Sequence, residues 1–267
     1  MKYEAMMNFE GKISRTPRDK RATIREAVQE FVKDGDSICV GWVAQPVAVL
    51  HEIARQGQED LTLMWDSHVF ASLLIGLGQV KRVEFAYQWG AIQGNDHVWR
   101  RAIEKGIPRK IEFEDYSNAS MAWRFFAGSV GIPFMASPAL MGSDIPKYNK
   151  NIKIIDDPYG SGRKVALIPA ANPDVTILHC HRADKYGNAQ WFGIYGNSDV
   201  QGKAAKKLII SCEEIVPTDE IRRFPNNTLI PHYYVDAVVQ APFGAHWRET
   251  NYMYHQDFPF GMDMFTR

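Results

Sequence analysis

The feature that most constrains this chain is a repeated alternation of short apolar runs with amphipathic segments. Asp36–Gly41 is an apolar run closed by glycine, which is typical of a buried strand. Pro46 suits a first helical turn, and Val47, Leu50 and Ala54 then follow on one helical face. Repetition of this pattern predicts an α/β fold: an open, mostly parallel sheet sandwiched by helices.

The same reasoning assigns elements along the rest of the chain. Predicted strands are Asp36–Gly41, Leu61–Trp65, Val80–Tyr87, Lys110–Phe113, Ile132–Met135, Ile152–Ile155, Val165–Pro169, Val175–His181, Leu208–Cys212 and Tyr233–Val239. Predicted helices are one that begins at a Thr23–Glu26 capping box, one that begins at Pro46, and Val69–Leu77, Asp96–Lys105, Asn118–Phe126 and Val200–Lys206. Without an internal repeat or a linker, we predict a lead over residues 1–20 and a single domain over 21–267.

One segment requires a test for membrane insertion. Phe125–Ser143 carries no charge over 19 residues, which is near the length of a membrane span. Pro133, Pro138 and three glycines would interrupt a helix there. We therefore predict the end of a helix, a buried strand and a loop, and no membrane partner.

Charge and cysteine content limit the partners and the compartment. Lys+Arg and Asp+Glu both number 31, which argues against nucleic acid as a partner. The residues Cys39, Cys180 and Cys212 show no paired spacing, which favours reduced thiols in a cytoplasm. The first 20 residues lack the apolar core of a signal peptide.

Common catalytic motifs do not fit. Gly76-Leu-Gly78 lacks the third glycine of a dinucleotide fingerprint, and Gly160-Ser-Gly162 is typical of a plain turn. His179 and His181 share one face of a predicted strand, but no third zinc ligand has a recognisable spacing. We therefore predict hydrogen-bonded histidines and no metal.

Loops at the carboxyl ends of parallel strands are where such sheets bind ligands. The predicted loops of this kind are Trp42–Gln45, Asp66–His68, Gln88–Gln93, Asp115–Asn118 and Gly142–Asp144. Candidate substrate-binding residues in them are the donors Gln45, Gln88, Asn118 and Ser143, the glycine Gly142, and the apolar wall Trp42. Trp65 and Trp89 are further candidates for the wall, with burial in the core as the alternative.

Several segments in a common order resemble the A (alpha) subunits of class I coenzyme A (CoA) transferases, among them glutaconate CoA-transferase. The segments are Asp34–Ile38, Gly41-Trp42, Ile53–Gly57, Glu114–Ser117, Gly131–Phe134, Pro173–Val175, Ala183-Asp184, Gly187-Asn188, Cys212–Ile215, Val235–Val239 and Gly244–His246. The resemblance runs from Arg21 to His255, and it adds Ser67 as a substrate-side residue and a match at Gly142-Ser143.

The resemblance implies a two-subunit enzyme, AB or A2B2, that moves CoA between an acyl-CoA and a carboxylic acid. In this family a glutamate of the B subunit is the nucleophile, and coenzyme A enters only as part of the substrate. Here neither Glu10-Gly11 nor Glu104-Lys-Gly106 has the context of that nucleophile, so we expect a partner to supply it.

Two alternatives remain open. Relatives on the same scaffold open a ring of a CoA ester by hydrolysis or decarboxylate a CoA ester, and the ring hydrolases use a glutamate near the segment Glu114–Asn118. Asn118 falls at that position, which favours the transferase. A ligand-sensing domain is the third interpretation, but residues 1–20 are too short for a DNA-binding helix pair.

Overall fold

The computed structural model describes residues 16–67, 70–88 and 96–266, with side chains up to residue 263. Its helices are α1 (Ile24–Phe31), α2 (Val47–Gln56), α3 (Ser72–Gly76), α4 (His97–Lys105), α5 (Asn118–Ser129), α6 (Ile145–Tyr148), α7 (Ser198–Ala204), α8 (Thr218–Arg223) and α9 (Phe258–Thr266). Its strands are β1 (Ser37–Val40), β2 (Leu61–Ser67), β3 (Val80–Tyr87), β4 (Glu112–Asp115), β5 (Phe134–Ser137), β6 (Lys153–Asp156), β7 (Lys164–Pro169), β8 (Val175–Ala183), β9 (Ala189–Gln190), β10 (Lys207–Ile215), β11 (Thr228–Ile230) and β12 (Ala237–Gln240).

A parallel sheet forms the centre of the molecule. Its strands lie in the order β12-β10-β8-β1-β2-β3-β4, and every neighbouring pair is parallel. The short strand β9 adds to the end of β8 in antiparallel orientation, and β11 pairs with β9 in the same sense. The predicted open, mostly parallel sheet is therefore confirmed.

Strand β2 shows how the sequence places helices on both faces. Leu63 and Trp65 point into the core formed with α1, α2 and α4. Met64 points the other way and packs with Met121 and Phe125 of α5. Because successive strand residues face opposite sides, Asp66 shares the side of Met64 and the helices α5 and α7.

A second, antiparallel sheet has the order β5-β7-β6. The predicted hairpin of Ile152–Ile155 with Val165–Pro169 is confirmed as the pair β6–β7. The prediction of a buried strand over Ile132–Met135 is wrong, because β5 joins this small sheet and Phe134 stays 45% exposed. One side of the sheet has no covering layer among the described residues, so an apolar run is left open to solvent.

The predicted strand over Tyr233–Val239 is also partly wrong. His232–Tyr234 forms a 3-10 turn, in which the Tyr234 backbone N–H donates to the Pro231 carbonyl at 3.2 Å. Only the second half of the segment pairs, as β12. Two tyrosines shortly before the strand extended the prediction too far upstream.

The start of α1 follows its sequence signal. Thr23 accepts from the Glu26 backbone N–H and the Glu26 side chain accepts from the Thr23 backbone, which completes the predicted capping box. Just before it, the Lys20 carbonyl accepts from the Val238 N–H at 2.9 Å, so the last residues of the predicted lead lie along β12.

Within the described residues, no helix combines the length and apolar character that a membrane crossing needs.

Helix α5 approaches the rest of the chain so closely that Gly128 is required. A Cβ built on Gly128 would lie 2.0 Å from the Ala171 carbonyl oxygen, a backbone atom that cannot move aside. We expect Gly128→Ala to lower the free energy of unfolding by about 3 kcal/mol, measured by urea denaturation. The matched control is Gly76→Ala, where the nearest atom is the end of the Val98 side chain at 3.1 Å. Equal effects of the two variants would contradict this account.

Candidate active site

A cleft of about 250 Å³ opens at the carboxyl ends of β1 and β2, next to the first turn of α5. Its described lining consists of Trp42, Asp66, Ser67, Asn118, Ala122, Gly196 and Asn197. Three of the predicted substrate-binding residues, Trp42, Ser67 and Asn118, thus come together from distant parts of the sequence. Convergence at this edge of the sheet is what the carboxyl-end rule predicts.

Trp42 stands at the rim, next to one glycine that lets its loop lie against β8 and in contact with another. Gly41 passes so close to β8 that a Cβ there would lie 2.7 Å from Leu178 Cδ2. A Cβ on Gly196 would lie 2.9 Å from Trp42 Cε3, so the indole packs against bare backbone. In the same loop Ala44 has a φ of 48°, a left-handed conformation that is strained for a residue with a side chain. The loop is therefore held in a defined and costly shape beside the cleft.

Asn118 is the first residue of α5 and is presented by a strong helix cap. The N-cap Ser117 accepts from the Ser120 N–H, and the Ser120 side chain accepts in return from the Ser117 N–H. The unsatisfied N–H groups of a first helical turn favour negative charge nearby. The exposed Asn118 amide therefore stands at an edge of the cleft that suits a developing oxyanion.

Asp66 forms the floor of the cleft, and sequence reasoning missed it. The residue is 6% exposed, whereas Trp42 is 41% exposed. Asn197 Nδ2 and Gln201 Nε2 both donate to Asp66 Oδ2, at 2.7 and 2.8 Å. Burial raises the pKa of Asp66 to about 6, although these amides and the charge of Arg124 act in the opposite direction. A carboxyl group at the end of a strand was the available signal, but its burial depends on α7, far along the chain.

The remaining predicted residues lie elsewhere. Gln88 is buried and its Nε2 donates to Asp96 Oδ2 at 2.8 Å, which ties β3 to the start of α4. Gln45 is 1% exposed and is not part of the described lining. Trp65 is fully buried in the core against Phe85, which is the alternative considered for it. Trp89 lies outside the described residues.

Gly142 and Ser143 are exposed and also lie outside the described lining of the cleft. Ser143 Oγ donates to the Leu140 carbonyl at 2.9 Å. Their loop follows β5, which belongs to the antiparallel sheet. The assignment of Gly142–Asp144 to the carboxyl edge of the parallel sheet is therefore wrong, because it assumed that β5 was one of the parallel strands.

The two strand histidines take part in hydrogen bonds. His179 Nε2 lies 2.8 Å from Glu213 Oε1, and its Nδ1 lies 2.9 Å from Ser211 Oγ. His181 Nδ1 accepts from the Phe192 N–H, which leaves Nε2 to donate to the Asn251 carbonyl at 2.7 Å. In the part of the chain that the structure describes, no group of three or more His, Cys, Asp or Glu side chains is placed to hold a metal ion.

A second cleft of about 470 Å³ is larger. Its described lining comprises Gly193, Ile194, Glu249, Asn251, Tyr252, Met253, Tyr254 and His255. None of the predicted substrate-binding residues is in that set. We therefore place the candidate active site in the smaller cleft, where those residues converge.

The sequence model of the family described as "Coenzyme A transferase" matches residues 21–241. The chain belongs to the coenzyme A transferase family. The resemblance found in the sequence and the prediction of a CoA-transferase-type enzyme are thereby confirmed.

Two named relatives of this coenzyme A transferase chain agree with its assignment to the family. It is 37% identical over 238 residues to the A subunit of 3-oxoadipate CoA-transferase from Pseudomonas knackmussii, covering 88% of this chain and 83% of the relative. The solved structure of glutaconate coenzyme A-transferase from Acidaminococcus fermentans matches with a TM-score of 0.87 and 31% identity, covering 92% of this chain and 83% of that one. An uncharacterized protein of Archaeoglobus fulgidus is 43% identical, and the match covers 91% of this chain but only 55% of that longer protein.

One relative carries a different activity in its name. The chain is 28% identical over 252 residues to the IpdA subunit of the cholesterol ring-cleaving hydrolase of Rhodococcus jostii, covering 90% of this chain and 84% of the relative. Membership of the family therefore leaves the reaction to be argued from the site.

Proposed function

We propose that this chain is the A subunit of a heteromeric class I CoA-transferase, assembled as AB or A2B2, whose B subunit supplies the catalytic glutamate. The observation that carries the proposal is the composition of the cleft. It gathers Trp42, Ser67 and Asn118 around an acyl-sized space, yet no glutamate is among its described lining residues. An acyl-sized cleft without a glutamate in its described lining supports the proposal that this chain forms half of a shared active site.

The chemistry needs a carboxylate because the exchange must be nearly balanced in energy. The partner's glutamate attacks the thioester carbonyl, and the CoA thiolate leaves to give a mixed anhydride. The thiolate then attacks the glutamyl carbonyl, which releases the first acid and forms a glutamyl-CoA thioester. A second carboxylic acid reverses these steps and leaves with CoA, so no cofactor besides coenzyme A is required.

In this scheme the present chain holds the acyl group and stabilises charge. The Ser67 hydroxyl and the Asn118 amide are the donors that we assign to the oxyanion of each tetrahedral intermediate. The indole of Trp42 covers the acyl chain from the rim. Loss of one such donor typically lowers kcat by about 10²-fold.

Reductive trapping tests the proposal. The assembled complex is incubated with an acyl-CoA and then with borohydride, which reduces a glutamyl thioester irreversibly. We expect inactivation that requires the acyl-CoA, with the modified glutamate located on the partner protein by peptide mass spectrometry. The control is the complex treated with borohydride and free CoA, which should keep its activity. Retention of activity in both samples, with CoA-ester turnover in the absence of an acceptor acid, would reject the transferase.

Turnover of a CoA ester without an acceptor acid, and without inactivation by borohydride, is what the alternative predicts. The alternative is a ring-opening hydrolase or decarboxylase on the same scaffold. The hydrolase named among the relatives supports keeping it. Against it, Asn118 is a neutral amide in the cleft, and Glu114 lies outside the described lining, where it is bound by Arg82 and Tyr116. A carboxylate held in this way is not placed to act on a substrate in the cleft.

A further inference from the structure

One wall of the cleft is a contact between a tryptophan and a glycine from two distant loops. Trp42 follows β1, and Gly196 lies two residues before α7. A Cβ built on Gly196 would lie 2.9 Å from Trp42 Cε3 and 3.2 Å from Cζ3, so the indole packs against bare backbone. A side chain at position 196 would occupy the place of the indole, and the glycine therefore decides where this wall stands.

Both sides of the contact are anchored to the central fold. On the glycine side, Asn197 Nδ2 donates to the buried Asp66 Oδ2 at 2.7 Å, and the Asn197 carbonyl accepts from the Gln201 N–H at 3.0 Å. On the tryptophan side, the Gly41 N–H donates to the Ile177 carbonyl of β8 at 3.0 Å. The wall is therefore held in a defined position by the sheet and by α7.

The space in front of this wall is small, and its other side is also fixed. Helix α5 supplies Asn118 and Ala122, and the close approach of its Gly128 to the Ala171 carbonyl holds it in place. The cleft of about 250 Å³ lies below the range of about 300–1,000 Å³ that is usual for small-molecule sites. A methylene group needs about the volume of a water molecule, about 30 Å³, so about eight such groups fill the cleft.

We infer that Trp42, seated on Gly196, sets the upper size of the acyl group, so that this site takes CoA esters of short, unbranched acyl groups and excludes long or ring-bearing ones. The inference rests on the proposed function and adds the substrate class to it. A short chain leaves the indole in place and gains affinity from each methylene group that the cleft buries. A longer chain has to displace the indole or α5, and overfilling a packed site costs affinity.

A series of CoA thioethers measures the size limit without turnover. The ligands carry unbranched saturated chains of about two to about fourteen carbons, and none has a carbonyl that can acylate the enzyme. Titration calorimetry on the assembled complex, with every ligand below its micelle concentration, gives each Kd. We expect affinity to rise about four-fold per methylene group up to about eight carbons, and then to stop rising or to fall.

Variants of the tryptophan show whether it sets that limit. Trp42→Ala removes the indole and should move the limit by about four carbons, whereas Trp42→Phe keeps a smaller ring and should move it less. The matched control is Trp123→Ala. Trp123 lies on α5 and is 39% exposed, against 41% for Trp42, but it is outside the described lining, so its removal should leave the limit unchanged.

A second pair of variants tests the seat of the indole. Gly196→Ala places a methyl group against Trp42 and forces the indole off the loop, so the limit should change. Gly193→Ala is the matched control, because both glycines have a positive φ and its Cβ would meet Tyr252 Cε2 at 2.8 Å, on an exposed ring outside the described lining. It carries the same kind of backbone strain and should keep the limit of the unmodified complex.

Any of four results would overturn the inference: affinity that keeps rising to the longest chain, affinity that does not depend on chain length, a limit that neither Trp42→Ala nor Gly196→Ala shifts, or a limit that the control variants shift equally. The borohydride experiment has an independent outcome, because it reports the partner's glutamate and needs only one reactive acyl-CoA. Failed trapping with the expected limit would reject the transferase and keep the role of Trp42. Successful trapping without a limit would do the reverse.

Discussion

Glu213→Ala should lower the free energy of unfolding by about 4 kcal/mol, because it removes the acceptor from a buried hydrogen-bond network. The Glu213 side chain is 5% exposed and His179 is fully buried. The Glu213 carboxylate accepts from the Phe243 N–H at 2.6 Å and from Tyr254 Oη, and it lies 2.8 Å from His179 Nε2. Truncation leaves the fully buried His179 ring and the part-buried Tyr254 hydroxyl without this acceptor.

The network also stabilises the conformation of the loop that follows β12. Phe243 has a φ of 57°, a strained conformation that the hydrogen bond to Glu213 helps to hold. The next residue, Gly244, accepts at its carbonyl from the Ala48 N–H in the first turn of α2, at 2.9 Å. Loss of Glu213 should therefore loosen the start of α2, the helix that follows the loop whose Trp42 lines the candidate active site.

Urea denaturation followed by circular dichroism measures the effect. Glu214→Ala is the matched control, because this neighbouring glutamate on β10 is exposed and should cost little. Glu213→Gln keeps the shape and one acceptor oxygen, so it should fall between the two. Equal stability of Glu213→Ala and Glu214→Ala would show that the network contributes nothing.

The same network gives stability a defined pH dependence. Burial alone would raise the pKa of Glu213, but hydrogen bonds from His179 and Tyr254 outweigh it and the pKa in the folded chain is lowered. A carboxyl group with a lowered folded-state pKa stabilises the fold above its unfolded pKa, and this contribution is lost as the pH falls through the folded-state value. We expect Glu213→Gln to reduce the loss of stability that the unmodified chain suffers on acidification below the ordinary glutamate pKa.

Local patterns in the sequence predicted the central sheet because its strands are continuous apolar runs. Val80–Tyr87 coincides with β3, and Thr23 with Glu26 marks the start of α1. The same patterns failed at β5, since Phe134 is as apolar as a core residue but stays exposed on a sheet that is covered on one side. Apolarity predicts that a segment is a strand and does not tell how many layers cover it.

The cleft shows a second limit of prediction from the sequence. Trp42 and Asn118 were predicted from their position after strands, because parallel strands bring their carboxyl ends to one edge, and Ser67 was predicted from the family resemblance. Asp66 was passed over, since its burial and its partners come from Asn197 and Gln201, which are 131 and 135 residues away in sequence. Gln88 was predicted as a free donor, whereas its Nε2 donates to Asp96 Oδ2. Which polar side chain faces a ligand depends on such long-range pairings.

Filling the cleft should affect activity more than any other single change considered for this chain. Ala122 lies one turn into α5 and lines the cleft, so Ala122→Phe would place a phenyl ring in a space of only about 250 Å³. Because the reacting carbonyl must sit within contact distance of its catalytic groups, we expect kcat/KM of the assembled complex to fall by about 10³-fold or more. The acyl-CoA-dependent trapping by borohydride should disappear in parallel.

Ala119→Phe is the matched control, because Ala119 is exposed on the same helix and outside the described lining. It carries the same cost of placing an aromatic residue in a helix, so both variants should unfold at similar urea concentrations. A loss of activity confined to Ala122→Phe, with both complexes still assembled on size exclusion, locates the acyl group between α5, Trp42 and Asp66. Full activity of Ala122→Phe would move the reaction out of this cleft, and the roles argued for Ser67 and Asn118 would then be wrong.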